Sequence, residues 1–226
     1  MNNNFHFKMK NIFLLLLFIP LIGISQVKNV ISTNRVFPKV DKVLEFEKAL
    51  ATHAQKYHTG DVKWRVFQIQ TGPDAGGYHI VEGPKCWESE DTRGDINVAH
   101  NNDWHKSVMI YLTDRNSSGY SVYIDSLSTV AVGDFSDKVQ VTHLFPKPGC
   151  GGKLSTMIKN LRKAWAADGV SIAVYESNGS GAPQFALARR YKQGLKEKTE
   201  GYRKPFVETY EKIHGKGSWS IFNDNV

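Results

Sequence analysis

The tightest constraint on this chain is that it contains itself twice. Val36-Phe37-Pro38-Lys39 returns as Leu144-Phe145-Pro146-Lys147, an offset of 108 that also carries Val62 onto Val170 and Phe67 onto Tyr175. Self-similarity at a fixed offset means two like supersecondary units, each with an apolar face to bury. Each Phe-Pro-Lys closes a short β-like run (30–37 and 139–145) and opens a helix. Proline at a strand end costs no ladder hydrogen bond and suits a first helical turn.

The helical spacing of Val40, Val43, Leu44, Leu50, Ala51 and Ala54 predicts a helix over 39–57, stopped by Gly60. Leu154, Met157, Ile158, Leu161 and Trp165 predict its counterpart, stopped by Gly169. Each helix is followed by a strand, a Gly-rich turn and a strand: 62–70, 71–77 and 78–82, then 170–176, 178–181 and 184–191. These turns lead into strands rather than helix N-termini, so they read as hairpins and not as phosphate cradles. A second helix follows in each copy, with Trp104-His105-Lys106-Ser107-Val108 matched by Tyr202-Arg203-Lys204-Pro205-Phe206. Last strands are expected at 129–135 and 218–222, with a polar hairpin or loop at 114–125.

The order is β-α-β-β-α-β, twice. That is an α+β, tandem ferredoxin-like chain, in which each four-stranded antiparallel sheet carries helices on one face. The bare faces must be covered, and two copies in one chain solve this by packing sheet on sheet. The expected divisions are residues 1–25, a first half over 26–137 and a second half over 138–226. Such a chain is expected to be a monomer with an internal pseudo-dimer.

Residues 1–25 read as a secretory signal peptide. Lys8 and Lys10 precede an apolar run over 12–24, and Gly23-Ile24-Ser25 places small residues before a cut at Gln26. The run is too short and broken to span a bilayer comfortably, which takes about 20 apolar residues. The expected location is therefore periplasmic or extracellular, with no membrane attachment after cleavage. Cleavage would lower the net charge from +7 to +5. The remaining basic residues are scattered, apart from Arg189-Arg190 and 192–204, which suits a solvated helix face better than a nucleic-acid surface. Cys86 and Cys150 lie outside metal-ligand spacing and form no disulfide framework, although an oxidising compartment permits a bridge. No metal site is read from the sequence. His53 and His58 are five apart on the first helix, wrong for a shared face, and are expected to be exposed. No G-x-S-x-G, H-E-x-x-H or P-loop motif is present.

The repeated order, with Thr33-Asn34-Arg35 on the first strand and Trp87-Glu88-Ser89-Glu90-Asp91 after the third, resembles the dimeric α/β-barrel superfamily fused in tandem. Within it, the chain resembles the antibiotic-biosynthesis-monooxygenase-like proteins, which include haem-degrading monooxygenases. The resemblance implies a site in the first half with Asn34, Trp87 and His100 as catalytic residues and haem as the candidate cofactor. The spacing of His100 from Trp87 departs from that pattern. Trp104 would line the ligand space, since His100, Trp104 and Val108 share one helix face, and His105, about a quarter turn away, is the second candidate. Chemically, an amide can donate to bound oxygen, an aromatic can press on a planar ligand, and a neutral imidazole can ligate iron.

At the matching places in the second copy stand Thr142, Leu195 and Lys198, whereas Trp104 and Val108 keep their character in Tyr202 and Phe206. Any such site is therefore confined to the first half. The leading expectation is an exported protein that binds a small apolar or aromatic ligand between sheet and helices of that half. The alternatives are a monooxygenase, cofactor-independent or haem-degrading, and a structural or stress-related envelope protein without a ligand.

Overall fold

A computed structural model describes residues 26–93, 96–178 and 181–224. The proposed signal peptide, and Gly179 and Ser180 of the second hairpin turn, lie outside these residues. The elements run β1 (Val30–Pro38), α1 (Val43–Tyr57), β2 (Trp64–Gln68), β3 (Tyr78–Lys85), α2 (Trp87–Arg93), α3 (Val98–Asp103), β4 (Leu112–Tyr123), β5 (Val139–Leu144), α4 (Gly151–Ala167), β6 (Ile172–Asn178), β7 (Phe185–Arg190), α5 (Phe206–His214) and α6 (Ser218–Asn223). The chain is α+β, with seven antiparallel strands in the order β2-β3-β1-β4-β6-β7-β5.

Two sheets were expected, and one continuous sheet is found. The reason lies in residues 114–125, read from sequence as a polar hairpin or loop. They belong mostly to β4, twelve residues long, which pairs with β1 along its length. Its end then pairs again, Tyr120–Tyr123 lying against Tyr175–Asn178 of β6. One strand thus joins the two sets of strands. Its alternation is hard to read because most of its residues are exposed on both faces. The expected strand over 129–135 is a connecting segment, its Thr129 hydroxyl donating to the carbonyls of Val170 and Ile172. The expected strand over 218–222 is helix α6, entered through Gly217 at φ 80°. There Trp219 and Phe222, three apart, pack on Tyr210.

The sheet curls. Arg35 of β1 and His143 of β5 touch, Nη2 to Nε2, at 3.1 Å. Four strand spacings separate β1 from β5, which on a flat sheet is about 19 Å. Only strong curvature brings these side chains together. Period-two alternation then sorts the core into layers. Val36, Tyr78 and Ile80 face the first helices and pack with Phe46, Leu50 and Val108. Ile172, Val174, Phe185 and Leu187 face α4 and meet Ile158 and Trp165. The opposite strand faces contribute Ile31, Val81, Tyr123, Ala173 and Tyr175 to a third layer inside the curl.

The apolar stripe of the first helix is rotated from its expected position. Val40 is 96% and Leu44 77% exposed, while Phe46, Leu50 and His53 are buried. Val40–Lys42 form a 3-10 turn before α1, so a stripe counted from Val40 at 3.6 residues per turn starts in the wrong phase. Phe46→Ala should therefore cost about 3–5 kcal/mol, and Leu44→Ala should stay within about 0.5 kcal/mol of wild type, as read from urea unfolding.

Inside the curl, burial pushes His79 down to about 4, helped by the nearby Arg35 guanidinium and by repulsion from the His143 ring and opposed by Asp74. The unfolded imidazole takes its proton near 6.5, whereas the folded one resists until about 4. Stability present above 6.5 is therefore lost as pH falls through this window. Thermal melts of His79→Gln should show a shallower loss between pH 6.5 and 4 than wild type. Parallel curves would contradict this.

Candidate metal centre

Three histidines converge between α1, α3 and the outer face of the first strands. His53 follows Phe46 and Leu50 on the buried face of α1, at i, i+4 and i+7. His58 is the C-cap of that helix, at φ −111° and ψ 70°, so its side chain leaves the helical screw. The five-residue spacing therefore does not separate the pair, and their rings lie 5.3 Å apart. The expectation of exposure is overturned: His53 is 0% and His58 3% exposed.

His100 arrives from α3. The Asn97 side chain caps that helix by accepting from the His100 backbone N–H at 2.7 Å. His100 therefore lies in the first helical turn. A π-helical turn, Trp104–Val108, follows directly. Asp103, at the junction, points back to His53.

Each imidazole is held by its Nδ1. Asp103 Oδ2 lies 2.7 Å from His53 Nδ1. The Val62 carbonyl and Glu82 Oε2 each lie 3.3 Å from His58 Nδ1. Asn101 Oδ1 lies 2.9 Å from His100 Nδ1. All of these partners accept hydrogen bonds, so they place a proton on each Nδ1 and leave a lone pair on each Nε2. The three rings bring candidate ligand atoms close together. His58 Nε2 and His100 Nε2 are 3.2 Å apart, and His53 Nε2 is buried with no hydrogen-bond partner among the described residues. One candidate ligand atom from each ring falls within 4.8 Å of the others. Two nitrogens bound tetrahedrally to zinc at about 2.0–2.1 Å are about 3.3–3.4 Å apart, so the His58–His100 pair already has the spacing of two ligands.

Without a cation this arrangement is unfavourable. A His58–His100 hydrogen bond needs one Nε2 to carry a proton, so that ring must either give up its Nδ1–H bond or become cationic beside two other imidazoles. Burial, the largest cause, holds His53 and His58 below the ordinary histidine value, overcoming the opposing pull of Asp103 and Glu82. Neutral rings with free lone pairs are what a metal ion requires.

The surroundings fix these rings. Trp64 of β2 stacks on His58 with centroids 3.4 Å apart and donates its indole N–H to Glu82 Oε2 at 2.7 Å. Lys85 sits between Glu82 and Glu90, 2.6 Å from each, and Ser32 donates to Glu90 at 2.9 Å. Glu82 is therefore a compensated carboxylate in a buried network, held ready for His58. Trp104 closes another side, its ring 5.3 Å from His53 and 5.8 Å from Trp64.

Of the residues expected to form the site, His100 and Trp104 come together, both against His53. Trp87 is 41% exposed and packs on Tyr120 instead. Asn34 lies on β1 between Ile80 and Ser118, and His105 is exposed. Sequence reasoning missed His53, His58, Trp64 and Glu82. The available signal was a polar residue at the i+7 position of the true apolar stripe of α1.

No family model matches the sequence, and no curated protein matches it. Solved structures do. A provisionally assigned monooxygenase from Lactobacillus acidophilus is 11% identical at a TM-score of 0.50, over 83% of this chain and 87% of that one. Another from Fusobacterium nucleatum is 14% identical at 0.52, over 84% and 86%. At these identities the likeness is one of fold alone.

Nitrogen-15 NMR of the metal-free protein should show His53 as its Nδ1–H tautomer, and Asp103→Ala should return it to the Nε2–H form. An Nε2–H tautomer in the unmutated protein would contradict the geometry.

Proposed function

We propose that the protein binds one divalent transition-metal ion of the zinc class through the Nε2 atoms of His53, His58 and His100. The observation that carries this is that each Nδ1 is turned to an acceptor while one ligand atom from each ring lies within 4.8 Å of the others. An all-imidazole donor set suits zinc, copper, nickel or iron and disfavours magnesium or calcium. Three protein ligands leave a coordination position for water or a small molecule, the pattern of catalytic rather than structural sites. Trp64 and Trp104 pack directly on the imidazoles and would shield a bound ion on two sides.

The signal-peptide pattern supports action outside the cytoplasm. Contact between Arg35 and His143, which are 108 residues apart, supports a fused pseudo-dimer with halves over 26–137 and 138–226. Residues on the axis of an isologous pair touch their own equivalents, and these two are equivalent under the sequence repeat.

Calorimetric titration of chelator-treated protein with Zn²⁺ should give one ion per chain. His53→Ala and His100→Ala should abolish binding, and Glu82→Gln should weaken it about 10–100-fold. At a free ion concentration 100 times Kd the gain is about 2.7 kcal/mol, which at about 2–4 °C per kcal/mol raises Tm by roughly 5–10 °C. Heat without saturation, or equal binding by the alanine variants, would overturn the proposal.

A second reading, oxygen chemistry, is favoured by the likeness to the two provisionally assigned monooxygenases. Its site would be the open position of a redox-active metal on the same histidines. His100 would then serve that metal and not haem, because its Nε2 already faces His58. Absence of oxygen uptake by iron- or copper-loaded protein supplied with ascorbate and a phenol would remove this reading.

A further inference from the structure

We infer that the second half carries a separate binding site, on Arg189, for a monocarboxylate with a compact apolar or aromatic body. Trp64 lies opposite Glu82 across β2 and β3, and Ile172 lies opposite Arg189 across β6 and β7. The repeat offset of 108 carries Trp64 onto Ile172. Arg189 therefore holds in the second half the register position that Glu82 holds in the first. Leu161, Ala166 and Lys198 stand where the three histidines would fall, so this location has no imidazole set.

What it has instead is a half-open cleft of about 430 Å³ between β6–β7 and the start of α5, within the range of small-molecule sites. Trp165, Ile172 and Phe206 supply apolar walls. The charged groups in its lining are unequally occupied. Arg203 donates to Glu197 Oε2 at 2.7 Å and to the Asp168 carbonyl at 2.5 Å. The other Glu197 oxygen accepts from the Gln193 backbone at 2.7 Å, and the Asp168 carboxylate accepts from the Thr209 hydroxyl at 2.6 Å. Arg189, by contrast, rests against the Tyr191 ring at 4.9 Å. Its Nε, like that of Arg203, is buried with no hydrogen-bond partner among the described residues. The Arg203 terminal nitrogens are both engaged, whereas among the described residues no side-chain hydrogen bond or ion pair holds Arg189. Buried donors of this kind are normally satisfied, and a planar guanidinium fork matches a carboxylate.

The neighbouring acids set the ligand class. Glu197, Glu200 and Asp168 line the same cleft with Arg189, Arg203 and Lys204, so the lining is formally balanced and a phosphate dianion would add twice the uncompensated charge of a monocarboxylate. The apolar walls call for an apolar body behind the single charge.

The probe is phenylacetate, titrated into the purified protein and followed by calorimetry and by the indole N–H resonance of Trp165. The expected result is saturable one-to-one binding that shifts this resonance. Neutral phenylacetamide should bind at least tenfold more weakly, and Arg189→Gln should lose at least tenfold for phenylacetate only. Arg189→Lys, which keeps the charge but not the fork, should fall between. Should Arg189→Gln fail to fold, the acid–amide comparison and the Trp165 shift in wild type decide the matter. No saturation, equal binding of acid and amide, or shifts that spare Trp165 would overturn the inference. Chelator-treated and metal-loaded protein should bind phenylacetate alike, so failure here is distinguishable from failure of the metal reading.

Discussion

The double pairing of β4 is the constraint on which the architecture rests. Hydrogen-bonded to β1 along its length and to β6 at its end, this strand makes one sheet of seven strands. Continuity lets twist accumulate, and twist brings Arg35 against His143. The curl gives the sheet an inside, filled by Ile31, Val81, Tyr123 and Tyr175, and an outside, where helices cover each set of strands. Both candidate sites lie on that outside, at matching register positions against different helices.

Within the first half, one acid network links packing to chemistry. Glu82 is buried on the helix-facing side of β3, compensated by Lys85 and bonded by Trp64. The same carboxylate lies 3.3 Å from His58 Nδ1. Breaking such a network by removing one member leaves an uncompensated buried charge, typically at a cost of about 3–5 kcal/mol. Its place against His58 Nδ1 suits the orientation of a metal ligand.

Much of the fold was legible in the sequence, and its failures have physical causes. Apolar patterning located β1, α1, β3, α4, β6 and β7. It missed β4, whose exposed polar face has no period, and α6, whose aromatic residues suit a strand or a short helix equally. The candidate site was half legible. His100 and Trp104 could be placed on one helix face from spacing alone. His53 and His58 could not be placed, because a 3-10 turn shifted the phase of α1 and a cap residue left the helix. Glu82 could not be paired with His58 without the register of β2 on β3. That register is a tertiary fact with no local signature.

The central claim is that three lone pairs meet at a metal ion. X-ray absorption of the zinc-loaded protein tests it most directly. The account predicts three imidazole nitrogens at about 2.0–2.1 Å with one further light ligand, and loss of the imidazole signal in His53→Ala. A shell of oxygens alone, or a sulfur contribution from Cys86 or Cys150, would contradict it.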